Sequence, residues 1–349
     1  MKGIKSYLQM KMLNRMAAMN RTFNLGIFST YRAELMGIAT ILIIVCHMPC
    51  FGVAMPHWAS TLLGSCGFGV DMFLFLSGMG IHNSYASNGK KHKSLPYWWI
   101  RRYIRIVLPL IVLVVPIGLL GGKWHSRPVY SVLLEISGFG SFFGHSALWF
   151  ISCILGLYIF TPLLHKLFIA RWKWCWLLAL SAACYIYAYL PPSSSIFHFM
   201  LNRCPIYFLG YALSDSINRK KEEELWLYVY LPLVLYVSLY ILNHRFGLHF
   251  CLFGLQGVMM VTIFAIFMNK FSSVRLHNFL VFIGAISLES YVTNEYLMRA
   301  LLKCSWSFNG IFFNIGNWPF YIVGTILCVL VSFIAKELVQ RITLKSKSF

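Results

Sequence analysis

The sequence predicts an all-α, polytopic membrane bundle of about ten transmembrane helices with both termini cytoplasmic. Three observations predict it. The 349-residue chain is 59% hydrophobic and 11% charged, with a mean hydropathy of +0.69, a profile that excludes a soluble domain. Its apolar runs are continuous and roughly 20 residues long, whereas a membrane β-barrel would show short alternating segments. Its basic residues fall in alternate loops: with both ends inside, 24 of the 30 Lys and Arg lie on inner segments and 6 on outer ones. That is a strong positive-inside bias. It also removes the nucleic-acid reading that a net charge of +20 would carry in a soluble protein.

Residues 1–32 form a basic cytoplasmic segment with no apolar core of a signal peptide. Residues 4–20 read either as an amphipathic helix on an anionic leaflet or as disorder behind a later start at Met10, Met12, Met16 or Met19. Span one, 35–53, is apolar from Met36 to Val53, holds His47, and carries the small residues Gly37 and Ala39 that let membrane helices pack closely. Span two, 62–83, contains the run from Gly67 through Asp71 to Ser77 and Gly78, followed by His82. Lys90, Lys91, His92 and Lys93 follow it, and Tyr97, Trp98 and Trp99 mark the interface before span three, 104–122. Span four, 146–164, opens on Leu148 and Trp149; span five is 174–190; span six, 200–217, carries Arg203. The run from Lys220 to Glu224 reads as a solvated turn before span seven, 225–243. Span eight is 250–269, span nine, 279–301, carries Glu289 and Asn294, and span ten is 317–336. Residues 33–337 thus form one transmembrane domain and 338–349 a basic cytoplasmic tail. No loop is long enough for a soluble domain, and no internal repeat supports an inverted-repeat transporter. The ten cysteines have no CxxC or zinc spacing, so neither a disulfide framework nor a metal site is expected.

Ionisable groups inside these spans point to the site, because a bilayer cannot solvate them. His47 reads as a base within the bundle or as a histidine that simply bonds a neighbouring helix. Asp71 lies at a similar expected depth, so its carboxylate could hold one imidazole nitrogen and leave the other to act as base; a buried structural pair is the plainer reading. Glu289 reads as a second orienting carboxylate or as a buried neutral acid. Arg101 and Arg105 share a helix face with Arg102 beside them, and guanidinium forks bind phosphates. Arg32 sits at the inner end of span one, roughly 22 Å from His47 along a helix. These cations suit an anionic cytosolic donor, or serve only as positive-inside anchors. Arg203 could contact an acceptor near the outer end of span six, and Trp149 and Tyr158 could stack on a sugar or fill the core.

Taken in order, Gly37-Ile-Ala with His47, the Gly69-Val-Asp71 to Gly78 run, Arg101-Arg102 to Pro109, Leu148 to Leu164, Arg203 to Tyr211 and Ser287 to Asn294 resemble the acyltransferase-3 family of bacterial integral-membrane acyltransferases. The similarity runs from about Arg32 to Tyr296. It implies a ten-helix bundle that takes an acyl group, usually acetyl, from cytosolic acyl-CoA and places it on a sugar hydroxyl across the membrane. It assigns His47 as the functional histidine and Arg101, Arg102 and Arg105 as the basic donor end. Two positions depart from the family pattern. Met36 stands where the family has Arg, with Arg32 one turn earlier, and Asn294 stands where many members have His.

The expected function is therefore membrane O-acyltransfer from acetyl-CoA or another acyl-CoA to a surface or lipid-linked carbohydrate such as an exopolysaccharide, at the bacterial inner membrane. The expected catalytic set is His47, Asp71 and Glu289. The donor is expected on Arg32, Arg101, Arg102 and Arg105, and the acceptor on Arg203, Trp149 and Asn294. No metal and no nucleic acid are expected; the partners are the bilayer, the acyl-CoA and the glycan. A transporter or flippase of a lipid-linked sugar or anionic metabolite is the rival reading, and a regulatory member that binds CoA without turnover is a third.

Overall fold

The computed structural model describes residues 22–345 apart from 91–93, 121–123, 126, 190–194, 247–251, 272, 304–305, 309–310 and 314–315. The expected amphipathic segment 4–20 and the Lys91–Lys93 run lie outside the described residues.

The chain begins with a short strand β1 (Thr22–Asn24) and a one-turn helix α1 (Ile27–Thr30), which lead into α2 (Arg32–Cys50). Next come α3 (His57–Ser65), a 3-10 turn (Cys66–Phe68) and α4 (Gly69–Lys90), then α5 (Leu95–Leu120) and a short α6 (Val129–Ile136). Helices α7 (Trp149–Ile169), α8 (Lys173–Tyr189) and α9 (Ser195–Asn218) precede strand β2 (Glu222–Glu224). A π-helical turn (Trp226–Tyr230) opens α10 (Leu231–Phe246), and α11 (Phe253–Lys270) follows. The remainder is α12 (Val274–Ala285), α13 (Ser287–Lys303), a hairpin of β3 (Trp306–Phe308) and β4 (Ile311–Phe313), and α14 (Trp318–Lys345). Helix occupies each of the expected spans. Among the described residues, seven helical stretches are long and apolar enough to cross a membrane, or eight if α12 and α13 count as one bent span. Helices α8 and α9 are outside that set; α8 has 17 residues, and α9 carries Asn202, Arg203, Ser214 and Asp215 among its apolar side chains.

Two expectations change. The ninth span is not one helix, because α12 and α13 meet at a 64° bend. Such a break leaves the last carbonyls of α12 without donors from their own helix. Lys336 of α14 donates to the Ala285 carbonyl, and the Ile286 N–H turns back to Ile283 O at 3.2 Å. The second change is at Glu222–Glu224, which is a strand rather than a free turn. It pairs antiparallel with β1, Thr22 opposite Glu224, and Lys220 takes a left-handed φ of 52° to make the reversal.

Close helix contacts come from glycine. A Cβ on Gly37 would lie 2.1 Å from Leu280 O, and one on Gly284 would lie 2.0 Å from Ala33 O. Helices α2 and α12 therefore touch backbone to backbone, the small-residue packing that membrane helices favour. Gly78 and Gly210 do the same for α4 and α9, against Tyr207 O and Phe75 O at 2.2 and 2.1 Å. Around these contacts the main core gathers Leu35, Met72, Leu76, Leu110, Tyr207 and Val261. A second cluster of Phe51, Val53, Met298, Tyr321 and Cys328 joins the end of α2 to α13 and α14. Nearby, a buried Thr293–Ser332 hydroxyl pair at 2.8 Å bridges α13 and α14.

Candidate active site

His47 sits in the last turn of α2. Its Nδ1 donates to Asn294 Oδ1 of α13. With the amide oxygen facing the ring, the contact is met by the tautomer that carries its proton on Nδ1 and leaves the lone pair on Nε2. Glu295, the next residue of α13, places Oε1 3.6 Å from Nε2, longer than a hydrogen bond. Its other oxygen accepts from Arg299 Nε one turn on, at 2.8 Å. The Arg299 guanidinium lies 5.7 Å from the Phe51 ring, and Phe51 meets the His47 ring edge to face at 5.9 Å. His47, Glu295, Arg299 and Phe51 thus form a closed circuit, in which the His47 side chain keeps 19% exposure. Tyr321 lies beside Phe51, ring centres 6.2 Å apart, its hydroxyl donating to Ile44 O at 2.6 Å.

The expected carboxylate partners are elsewhere. Asp71 is fully buried, and its Oδ2 accepts from Arg203 Nη1 at 2.5 Å. The same nitrogen donates to Gly67 O at 3.1 Å, so one guanidinium ties α9 to the start of α4. The Phe253 ring lies 4.1 Å from that guanidinium and Trp149 5.7 Å from it. Asp71, Arg203 and Trp149, expected in two different roles, form one internal cluster, and the Asp71–His47 bond is not made. The reason is geometric. Asp71 faces α9 and α11, where Gly257 leaves room for it: a Cβ there would lie 2.5 Å from the Asp71 Cβ. Glu289 does not reach His47 either. It lies about 9 Å before Glu295 along the helix, within electrostatic reach of Lys336 and Arg105. Asn294, expected to contact the acceptor, instead holds the imidazole.

At the opposite end of α2 the expected donor residues come together. Arg101, Arg102 and Arg105 line a cavity of about 390 Å³ with Asn83, Ser84 and Trp98. Arg101 also lies 5.5 Å from the Tyr97 ring. Arg32 donates from Nε to Leu76 O at 3.4 Å, packs over Gly80, and lies within electrostatic reach of Arg102, Arg105 and Tyr158. Tyr158 hydrogen-bonds Arg102. Met36, where the family pattern has Arg, packs against the core.

Glu295, Arg299 and a second buried carboxylate, Glu135, are the residues that reading the sequence missed. Glu135 of α6 accepts from Arg127 at 2.7 Å, from Trp124 at 3.0 Å and from the Tyr296 hydroxyl. That network pins the α5–α7 connection onto α13 one residue past Glu295. The available signal for Glu295 was its i,i+4 spacing to Arg299 within a membrane span.

No curated protein and no solved structure matches the chain. The acyltransferase-3 family model, described as an acyltransferase domain, matches residues 35–337. That stretch contains the His47 site and the arginine-lined cavity. With nearly its whole length matched and a bundle able to cross the bilayer seven or more times, the chain belongs to the acyltransferase-3 family and is a multi-pass membrane acyltransferase.

Proposed function

We propose that the protein is an O-acyltransferase of the bacterial inner membrane that moves an acyl group, acetyl first among them, from cytosolic acyl-CoA to a hydroxyl of a surface or lipid-linked carbohydrate. The positive-inside bias supports ten crossings with both termini cytoplasmic, which puts the arginine-lined cavity inside and His47 toward the outer face. The basic segment 1–32 and tail 338–349 then lie in the cytosol around the domain 33–337. The observation that carries the reading is the two-ended helix α2, with a cationic cluster at Arg32 and a partly exposed imidazole lone pair roughly 22 Å away. A long anionic donor fits that separation. Its phosphates would rest on Arg101, Arg102, Arg105 and Arg32, and its thioester would reach toward His47.

The chemistry follows from the tautomer. Asn294 holds Nδ1–H, so Nε2 takes the proton of the acceptor hydroxyl as its oxygen attacks the thioester carbon. The C–O bond forms, the C–S bond breaks, and the imidazolium returns its proton to the departing thiolate. Arg203 of α9 and Trp149 of α7 would serve this site indirectly, through the packing of those helices with α4. The test is mass spectrometry of surface glycans from cells with the wild-type protein, the His47→Ala variant or none. Loss of one acyl unit in both the null and the variant is expected. Glycans that are unchanged in the null would sink the reading and favour transport or regulation instead.

A further inference from the structure

We infer that Glu295 is a positioning residue for His47, its carboxylate stabilising the imidazolium that forms during transfer. The inference rests on the acyl-transfer reading above and extends it to a residue outside the expected site. When Nε2 takes the hydroxyl proton, the ring becomes a cation in a weakly solvating interior. Asn294 on Nδ1 is neutral and supplies no compensating charge. Asp71 is committed to Arg203 at 2.5 Å, and Glu289 lies about 9 Å back along α13. Among the described residues, Glu295 is the carboxylate that meets the ring, 3.6 Å from Nε2. That gap is too long for a hydrogen bond in the resting state yet close enough for strong charge interaction at low dielectric.

The carboxylate is also held in place. Arg299 takes Oε2 at 2.8 Å, which leaves Oε1 facing the ring, and Phe51 packs against both Arg299 and His47. The Glu295 side chain is 10% exposed, against 56% for Arg299, so water screens the arginine more than the glutamate. Placed this way, Glu295 favours the state in which His47 is charged and contributes to kcat, with donor binding left to the distant arginines.

The experiment uses inside-out membrane vesicles, radiolabelled acetyl-CoA over a range of concentrations, and incorporation into the membrane glycan fraction per mole of protein. Wild type, His47→Ala, Glu295→Gln, Glu295→Asp and the double variant Asn294→Asp/Glu295→Gln are compared, each with a thermal unfolding curve in detergent. Glu295→Gln is expected to lower kcat about 100-fold with KM for acetyl-CoA unchanged, and Glu295→Asp to fall between it and wild type. The double variant moves the carboxylate to Nδ1 and is expected to recover about tenfold over Glu295→Gln. Wild-type kcat in Glu295→Gln beside an inactive His47→Ala overturns this inference alone. So does a loss that tracks a lowered melting temperature and is not recovered by the double variant. No incorporation by the wild type sinks the acyl-transfer reading and this inference with it.

Discussion

Adding one methyl group at Gly284 tests whether the site depends on backbone contact between α2 and α12. The new Cβ would lie 2.0 Å from Ala33 O and 3.0 Å from Gly37 N. An ordinary carbon–oxygen approach is about 3.3–3.6 Å, so the helices must part by roughly 1.3 Å. Overpacking of this kind costs about 1–3 kcal/mol. The consequence for activity is larger than for stability. Helix α2 carries His47, while α12 leads through the bend at Ile286 into α13 with Asn294 and Glu295, so the separation acts across the His47–Asn294 bond. A misplacement near 1 Å can cost about 100-fold in rate. The assay is thermal unfolding in detergent alongside labelled acetyl transfer in vesicles. Gly64→Ala is the control, since a Cβ there meets nothing within 4 Å, and it should leave both readouts unchanged. Gly284→Ala with wild-type melting and wild-type transfer would refute the argument that this contact sets the geometry of the site.

Two further outcomes follow from the charged clusters. Asp71→Ala leaves the Arg203 guanidinium buried without its counter-ion and should destabilise the fold by about 3–5 kcal/mol. Asp71→Ala/Arg203→Met should regain much of that in the same unfolding assay, and a single variant as stable as wild type would show the pair contributes nothing. Arg101→Ala and Arg105→Ala should each raise KM for acetyl-CoA roughly tenfold, the loss of a charge-assisted hydrogen bond of about 1.5 kcal/mol or more. A fall in kcat at constant KM would place these arginines outside the donor site.

The sequence showed the arginine-lined cavity more fully than the surroundings of His47. Arg101, Arg102 and Arg105 share one stretch of one helix, so their spacing alone brings them to one cavity. The His47 cluster is built from residues far apart in sequence, His47 on α2 and Asn294 and Glu295 on α13. Depth along a span can be read from residue counting, and it put His47, Asp71 and Glu289 near one level. Rotation about each helix axis cannot be read that way, and rotation decides which neighbour a side chain meets.

From the sequence alone follow the membrane class, the positions of the helical spans and the histidine on which the proposed chemistry centres. These rest on properties that sum locally: apolar runs of bilayer length, charge in alternate loops, and motifs short enough to lie on one element. Tertiary structure alone decided which carboxylate His47 meets. Residues 294, 295 and 296 are consecutive, yet each turns about 100° from the last, toward the imidazole ring, toward Arg299 and toward Glu135. Glycine contacts at Gly37 and Gly284 and the bend at Ile286 set that rotation. Each of them needs the opposing helix to be in place before it has any meaning.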